Sequence, residues 1–256
     1  MFPAERQQKI FDIVCEQKSI KVTELSQIFD TSEVTIRRDL AELNDQNKLI
    51  RTLGGAIARY SVGREIRAPE VFVNPRCVEE KRLISELAYE YIKDYDTIIT
   101  DSSSTVYELI KLIATGKKKD LIIVTTSPLT VTALKDFKDC KVILIGGEFN
   151  YTHNTVEGYM ATKILKEMRA DKSFLGINGI DEIFGYSTPR HADAEIKTLM
   201  IESSMQSFIL ADNTKFNKTY FAKLDAECDF LITDKRLPGV SYSWLESRTN
   251  VLFAQN

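Results

Sequence analysis

The sequence predicts a chain of two parts: a small N-terminal α+β part over residues 1–57 and a larger C-terminal α/β part with a mainly parallel sheet over residues 75–256. Three helical hydrophobic patterns followed by a hairpin pattern predict the first part. From about residue 75, helical segments alternate with short β-rich runs, which is typical of βαβ units. Between the two, residues 58–74 lack a stable period and contain Gly63 and Pro69, which favours a linker.

Composition places the chain among ordinary globular proteins. Its 256 residues are 43% hydrophobic and 28% charged, values typical of folded domains. The N-terminal segment has no apolar signal core. The longest apolar runs, such as LIIV at 121–124, are too short to span a bilayer. We therefore expect a cytoplasmic protein with no membrane partner.

The cysteine and charge patterns exclude further classes of site. Cys15, Cys77, Cys140 and Cys228 form no CxxC pair, and the two histidines complete no zinc-ligand spacing. We expect free thiols in a reducing compartment, and neither a metal nor a cofactor. The net charge is −3, and residues 1–59 hold nine Lys and Arg against nine Asp and Glu. Affinity for DNA must then come from local clusters of cations and from several copies of the chain.

Apolar spacing predicts the first two helices. Periodicity indicates one helix over Pro3–Lys18 and a short second helix over KVTELSQIF at 21–29. Asp30–Thr31 then makes a tight turn, because Asp tolerates the left-handed backbone that such a turn often needs. The expected buried positions are Ile10, Ile13 and Val14 in the first helix, and Val22, Leu25 and Ile28 or Phe29 in the second.

The third predicted helix, Ser32–Gln46, carries the strongest functional pattern. It opens on a serine, which is a favourable N-cap. Ile36, Leu40 and Leu43 recur at i, i+4 and i+7 and form the buried stripe. Side chains that suit base edges and phosphates in a major groove lie off that stripe. They are Val34, Thr35, Arg37 and Arg38.

A wing is predicted after this helix, which Asn47 ends as a left-handed residue. KLIRTLGGAI at 48–57 indicates a hairpin, with Gly54–Gly55 as its turn or as a close backbone approach. Three helices and a hairpin make a winged helix-turn-helix, in which Arg51 would lie near the phosphates. The alternative is a helical bundle with a solvated arginine face, since such bundles also serve as interaction modules. The candidate DNA-binding residues are Ser32, Val34, Thr35, Arg37, Arg38, Arg51, Gly54 and Gly55.

Alternating patterns predict the elements of the C-terminal part. Helices are expected over 78–92, 106–114, 129–137, 161–170 and 194–204, and strands over 96–101, 121–126, 141–147, 172–177, 207–212 and 230–234. Four polar loops follow these strands, at Asp101–Thr105, Thr125–Ser127, Gly146–Glu148 and Gly176–Glu182.

Ligands of open α/β sheets bind beyond the carboxyl ends of the strands, so these loops are candidate binding residues. The hydroxyl-rich loop Asp101–Thr105 runs into a helix and offers amides and a positive dipole end to an anion. The alternative for that loop is a plain N-cap turn, because Ser and Thr are usual caps.

The N-terminal motifs resemble those of the DeoR family of bacterial transcription regulators. The similarity begins at Arg6, includes TIRRDL at Thr35–Leu40 and R-x-x-GGA at Arg51–Ala56, and continues through essentially the whole chain. Asn47 replaces the family's usual Gly, and Leu53 replaces a frequent His. The resemblance implies a sequence-specific DNA-binding regulator that represses sugar-metabolism genes through a double-stranded operator. We expect a homodimer or homotetramer, because one small neutral module makes few phosphate contacts.

The resemblance also implies a sensor domain similar to ribose-5-phosphate isomerase that binds a small phosphorylated sugar. Two positions depart from the family pattern, since Ser103 replaces Gly and Thr126 replaces Asn. The implied effector-binding residues are Asp101, Ser102, Ser104, Thr105, Ser127, Gly146, Gly147, Gly176, Asp181, Glu195, Lys197, Asp212 and Lys215, and Gly179 belongs to the same motifs.

The alternative function is that of an isomerase-like enzyme with a DNA-binding appendage. Residues 178–182 (NGIDE) resemble the isomerase loop DGADE, and Glu195 falls where the isomerase has its catalytic glutamate. Asn178 replaces the first acid of that loop, and PRHAD precedes Glu195 in place of a glycine-rich segment. The constellation is incomplete, so we expect a binding site without catalysis.

Overall fold

The computed structural model describes residues 3–17, 19–46, 48–52, 54–58 and 77–255. The chain divides into two compact units, Met1–Ile66 and Arg67–Asn256. The linker predicted over 58–74 lies outside the described residues except for Ala58, which ends a strand of the first unit. Lys18, Asn47 and Leu53 also lie outside them.

The first unit combines helices with a small antiparallel sheet. Its described elements are α1 (Pro3–Gln17), β1 (Ser19–Lys21), α2 (Val22–Ile28), α3 (Glu33–Asp45), β2 (Leu49–Arg51) and β3 (Gly55–Ala58). The sheet order is β1-β3-β2, so the predicted hairpin is confirmed as β2 and β3. Strand β1 was not predicted, because three residues are too few to show an alternation.

The core of the first unit lies where the apolar spacing places it. Ile36, Leu40 and Leu43 are at most 1% exposed and pack with the buried side chains of α1 and α2. The alternative between Ile28 and Phe29 resolves in favour of Phe29, which packs against this cluster. Ile28 is 53% exposed.

The second unit contains more elements than the sequence predicts. Those described are α4 (Val78–Glu90), β4 (Thr97–Thr100), α5 (Ser104–Thr115), β5 (Leu121–Thr125), α6 (Pro128–Ala133), β6 (Cys140–Leu144), β7 (Glu148–Asn150), β8 (Thr155–Glu157), α7 (Tyr159–Lys166), β9 (Ala170–Gly176), β10 (Gly179–Asp181), β11 (Gly185–Thr188), α8 (His191–Glu202), β12 (Ser204–Leu210), β13 (Ala222–Lys223), β14 (Phe230–Thr233), α9 (Ser243–Glu246) and β15 (Asn250–Phe253). A short 3-10 turn, Asn213–Lys215, follows β12.

A parallel seven-stranded sheet organises this unit, in the order β15-β14-β12-β9-β4-β5-β6. The prediction of a mainly parallel sheet is confirmed. Successive strand residues enter opposite cores, as a sheet covered on both faces requires. Ile98, Phe174 and Phe208 belong to one core, whereas their neighbours Ile99 and Leu175 belong to the other.

Three small β features were missed by the pattern analysis. They are the β7–β8 hairpin, the β10-β11-β13 sheet and the edge strand β15. The predicted polar loops all follow parallel strands, and the carboxyl ends of parallel strands meet at one edge of a sheet. The loops after β6, β5, β4, β9 and β12 therefore follow one another along that edge, which is called the carboxyl edge below.

Candidate functional site

The start of α3 is fixed by a turn and a cap. Asp30 adopts a left-handed backbone with φ of 45°, as the sequence predicts. The Ser32 hydroxyl accepts a hydrogen bond from the Thr35 amide at 3.2 Å, and the two side-chain oxygens lie 2.9 Å apart. Ser32 and Thr35 thus hold the N-terminus of the helix in place.

The outward face of α3 presents apolar and basic side chains to solvent. Val34 is 76% exposed, and the Arg38 side chain is 82% exposed. Arg37 pairs with Glu33 at 2.9 Å, and Arg38 pairs with Glu42 at 3.1 Å. Exposed pairs of this kind contribute little stability, so both arginines can exchange a carboxylate for a phosphate or a base edge.

The wing is attached to the helices through its backbone. The Arg51 amide donates to Asn44 Oδ1 at 3.1 Å, and the Val22 amide donates to the Gly54 carbonyl at 2.9 Å. A Cβ added to Gly55 would lie 2.0 Å from the carbonyl oxygen of Ile20. Gly55 is buried, so the structure gives this residue a packing role, whereas Arg51 and Gly54 are exposed.

A buried ion pair behind α3 was missed by the sequence analysis. Arg6 Nε on α1 donates to Asp39 Oδ2 at 2.6 Å, and Gln7 donates to Asp39 Oδ1 at 3.2 Å. The hydrogen bond to Asp39 raises the pKa of Arg6. Asp39 follows Ile36 by three residues, which places it on the buried stripe. That spacing was the available signal, because an acid on such a stripe needs a partner.

At the carboxyl edge of the second unit, the loop after β4 opens helix α5. Ser103 is the N-cap of α5, and its hydroxyl accepts from the Val106 amide at 3.4 Å. Ser103 therefore has the capping role that the alternative interpretation of the loop Asp101–Thr105 predicts. The amides of Ser104 and Thr105 begin the helix, and the first amides of a helix have no acceptor within it.

Asp101 and Lys197 form a buried ion pair beneath this loop. Asp101 also accepts from the amides of Ser103 and Gly176, each at 2.9 Å. Lys197 Nζ lies 3.6 Å from Asp193. Burial lowers the pKa of Lys197, but the charges and hydrogen bonds of Asp101 and Asp193 outweigh burial and leave the pKa raised. The pair joins the β4 loop to β9 and α8.

The serine at 103 fits because residue 176 has no side chain. A Cβ on Gly176 would lie 2.5 Å from both Cβ and Oγ of Ser103. The departure from the family's usual glycine at 103 is thus accommodated across the gap between the β4 and β9 loops.

A second lysine, Lys81, joins the group at this edge and was not predicted from the sequence. It lies in the first turns of α4 and is 4% exposed. Burial lowers its pKa, the charge of Asp212 raises it, and the charge of Lys215 lowers it. One turn later, the Ser85 hydroxyl donates to the Thr105 carbonyl at 3.0 Å. The hydrogen bond places α4 against the β4 loop. The effect of the charges of Asp212 and Lys215 on the pKa of Lys81 indicates that these residues lie near it.

Asp212 has a defined structural role within this group. It is buried, and its carboxylate accepts from the Thr214 amide at 3.0 Å, capping the 3-10 turn that carries Lys215. Lys215 is half-buried. Asp212 thus positions the turn that carries Lys215, and the effector-binding role implied for both residues stays a prediction.

The structure does not bring every predicted residue into this group. Glu195 is exposed on α8 and lies two residues from buried Lys197, which on a helix places the two on nearly opposite faces. Asp181 Oδ1 accepts from the amides of Ile183 and Phe184 at 3.0 and 2.8 Å, so its carboxylate caps the β10–β11 turn.

The loops after β5 and β6 complete the carboxyl edge. Ser127 is buried, and its amide donates to the Thr125 hydroxyl at 3.1 Å. Gly146 and Gly147 are exposed, and a Cβ on Gly147 would lie 2.7 Å from the Glu157 carbonyl. Ser102 and Ser104 are half-buried at the β4 loop.

A separate cavity of about 250 Å³ lies near the amino-terminal ends of β14 and β15. Its lining includes Tyr186, Trp244 and Cys228, whose thiol donates to the Tyr186 hydroxyl at 3.3 Å. None of the predicted effector-binding residues lines it. Burial raises the pKa of both Tyr186 and Cys228.

Metal-binding clusters and membrane-spanning helices are both absent from the described part of the chain. No group of three or more His, Cys, Asp and Glu side chains is arranged to hold a metal ion there. No helix in those residues has the length and apolar character needed to cross a membrane.

Comparison with known proteins adds independent evidence. The model of the DeoR-like helix-turn-helix domain matches residues 6–62, and that of the DeoR C terminal sensor domain matches residues 76–235. A solved D-ribose-5-phosphate isomerase in complex with phospho-erythronic acid matches 54% of this chain and 53% of its own, at 18% identity and a TM-score of 0.40.

Curated relatives are similar over nearly their whole length. The uncharacterized HTH-type transcriptional regulator YulB of Bacillus subtilis (strain 168) is 35% identical over 97% of this chain and 95% of its own. The HTH-type transcriptional repressor GlcR of the same strain is 32% identical over 98% and 95%. These relatives are transcriptional regulators, so this chain is a regulator and not an enzyme. The chain belongs to the DeoR family of helix-turn-helix transcriptional regulators.

Proposed function

We propose that the chain binds an operator as a homodimer or homotetramer, and that a phosphorylated sugar held at the carboxyl edge of the second unit weakens this binding. The name of GlcR, a transcriptional repressor, supports repression as the direction of regulation. Several copies are needed because one unit without net charge makes few phosphate contacts. A closed symmetric oligomer would match a palindromic operator.

On the DNA side, α3 enters the major groove. Its exposed Val34, Arg37 and Arg38 are the side chains available for thymine methyls, guanine edges and phosphates. Ser32 and Thr35 stand at the helix N-terminus, where a phosphate is favoured. Arg51 follows on the wing, beside the DNA backbone.

On the effector side, the grouping of Lys81 and Lys215 at the opening of α5 carries the proposal. A phosphate over the Ser104 and Thr105 amides gains the positive end of the helix dipole. The two lysines add charge-assisted contacts. Burial is the main cause that lowers the pKa of Lys81, and the charge of Lys215 lowers it further. A bound phosphate would place a negative charge beside both lysines. Ser102 lies on the same loop as a further hydroxyl donor.

The residues present favour binding over turnover. Isomerisation of a sugar needs a carboxylate base beside the carbon that loses its proton. Glu195 is exposed, and Asp101 is engaged by Lys197 and two amides. Asn178 supplies an amide where the resembling isomerase loop has an acid.

Calorimetry with matched pairs tests the proposal. Ribose 5-phosphate, fructose 6-phosphate and glucose 6-phosphate are each compared with the unphosphorylated sugar on the full chain. The sugar phosphate that fits should bind far more tightly than its sugar, because donors aimed at phosphate otherwise stay unpaired. Lys215→Ala should lower the affinity for this sugar phosphate at least tenfold. Lys138→Ala, an exposed lysine just before β6, is the matched control and should change nothing.

Equal affinity for both members of every pair would refute the phosphate site. Conversion of any sugar phosphate to its isomer, abolished by Glu195→Gln, would favour the enzyme instead.

A further inference from the structure

A buried amide without a partner lies in the turn of the β7–β8 hairpin. Asn154 is 8% exposed, and its Nδ2 has no hydrogen-bond partner among the described residues. Buried donors in folded proteins are nearly always paired, so an orphan donor needs an explanation. A ligand that supplies an acceptor is one such explanation.

The hairpin places this amide at the carboxyl edge. The Val156 amide donates to the Thr126 carbonyl at 2.8 Å, and the hydroxyls of Thr155 and Thr126 lie 3.3 Å apart. Thr126 directly follows β5. Asn154, next to Thr155, is therefore held beside the loop after β5, and β5 is the neighbour of β4 in the sheet.

The charges at this edge divide into two regions. Lys81 and Lys215 lie with the loops after β4 and β12. The buried hydroxyls that join the hairpin next to Asn154 to the β5 loop are those of Thr155 and Thr126, which are neutral. The carboxylate of Glu157 on the same hairpin is paired with Arg190. A neutral amide donor among hydroxyls suits a neutral oxygen better than a phosphate dianion.

The distance between neighbouring strands allows one sugar phosphate to contact both regions. Neighbouring strands lie about 4.8 Å apart, so a sugar attached to a phosphate over the β4 loop extends to the β5 loop. We propose that the side-chain amide of Asn154 donates a hydrogen bond to a hydroxyl or carbonyl oxygen of the sugar moiety and selects the effector by that oxygen. This inference rests on the proposed function, since it assumes that a sugar phosphate occupies the site.

The enclosure of Nδ2 has a consequence for binding. An atom that solvent does not reach meets a ligand oxygen only after the turn 151–154 moves. Occupancy of the site therefore changes the hydrogen exchange of the amides in this turn, whereas inorganic phosphate alone, bound at the lysines, leaves their exchange unchanged.

Two variants at 154 separate the amide from the backbone that carries it. Asn154 has φ of 48°, a conformation that Gly adopts without strain and that Asp tolerates. Asn154→Gly removes the donor and keeps the backbone conformation. Asn154→Asp keeps the shape of the side chain and replaces the donor by an acceptor, and because a buried carboxylate lowers stability, the melting temperature of each variant is measured as well. Calorimetry on the full chain uses the sugar phosphate that wild type binds most tightly among the three named above, with inorganic phosphate as the second probe.

We expect both variants to lose at least tenfold in affinity for the sugar phosphate. Asn154→Gly should retain wild-type affinity for inorganic phosphate. This result would assign the lost affinity to a contact with the sugar moiety. Wild-type affinity for the sugar phosphate in both variants would overturn this inference and leave the proposed function standing. Equal binding of sugar and sugar phosphate by wild type, or no binding of either, would overturn both. If one variant has a lowered melting temperature, the affinity of the other variant for the sugar phosphate decides whether the inference holds.

Discussion

The guanidinium of Arg6 on α1 lies 2.6 Å from the carboxylate of Asp39 on α3, Nε to Oδ2. A second nitrogen of Arg6 lies 3.3 Å from the other oxygen, and Gln7 donates to that oxygen as well. Asp39 immediately follows the exposed arginines of α3. The residue that fixes the back of the helix is thus adjacent in sequence to those offered to DNA.

Removal of this carboxylate should destabilise the first unit. Asp39→Ala leaves the half-buried Arg6 without its carboxylate, which should cost about 1–3 kcal/mol. Urea unfolding of the full chain, followed by hydrogen exchange of α1 and α3, measures the loss. Arg6→Met combined with Asp39→Leu should restore most of it, because no buried charge remains. A neutral effect of Asp39→Ala would show that the pair is absent in solution.

Arg38→Ala should weaken DNA binding without loss of stability. Its side chain is 82% exposed and its partner Glu42 is a surface residue, so the melting temperature should stay nearly constant. A lost base contact costs roughly 1–3 kcal/mol. Gel-shift titrations at fixed salt use a fragment that wild type selects from random DNA. Lys9→Ala, which removes another exposed cation of an i,i+4 pair, is the control. Unchanged DNA affinity in both Arg37→Ala and Arg38→Ala would refute the placement of α3 in the major groove.

Because of the Asp101–Lys197 pair, the free energy of unfolding should decrease as the pH rises in the alkaline range. Because the pKa of Lys197 is raised above its ordinary value of 10.5, its stabilisation is fully present below the unfolded-state pKa and is lost as pH rises through the folded-state pKa. Lys197→Met should cost about 3–5 kcal/mol near neutral pH, since it leaves Asp101 buried and unpaired. The difference in the free energy of unfolding between wild type and Lys197→Met, measured with urea, should become smaller above about pH 10.5. A difference that widens there would contradict the raised pKa.

The sequence predicts those parts of the fold that repeat a pattern. The stripe of Ile36, Leu40 and Leu43 is visible because helical spacing is regular. The six strands predicted from apolar runs form the parallel sheet for the same reason. Strand β1 and the β7–β8 hairpin were missed because segments of three residues contain too little alternation.

The candidate site is less predictable, because its residues meet only in three dimensions. The sequence identifies the loop Asp101–Thr105 from its hydroxyls before a helix. It gives no sign that Lys81, within an ordinary amphipathic helix, is buried at the carboxyl edge. Glu195 and Lys197 look equivalent by spacing, yet the helix turns one toward solvent and the other toward Asp101.

Release of DNA by an effector is the sharpest test of regulation by a sugar phosphate. Fluorescence anisotropy follows a labelled fragment, selected by wild type from random DNA, while the sugar phosphate that binds in calorimetry is added. The sugar phosphate should release the fragment, and the unphosphorylated sugar should not. Lys215→Ala should bind the fragment normally and need at least ten times more sugar phosphate for release. DNA affinity that stays constant while calorimetry shows the site to be saturated would refute effector control of DNA binding.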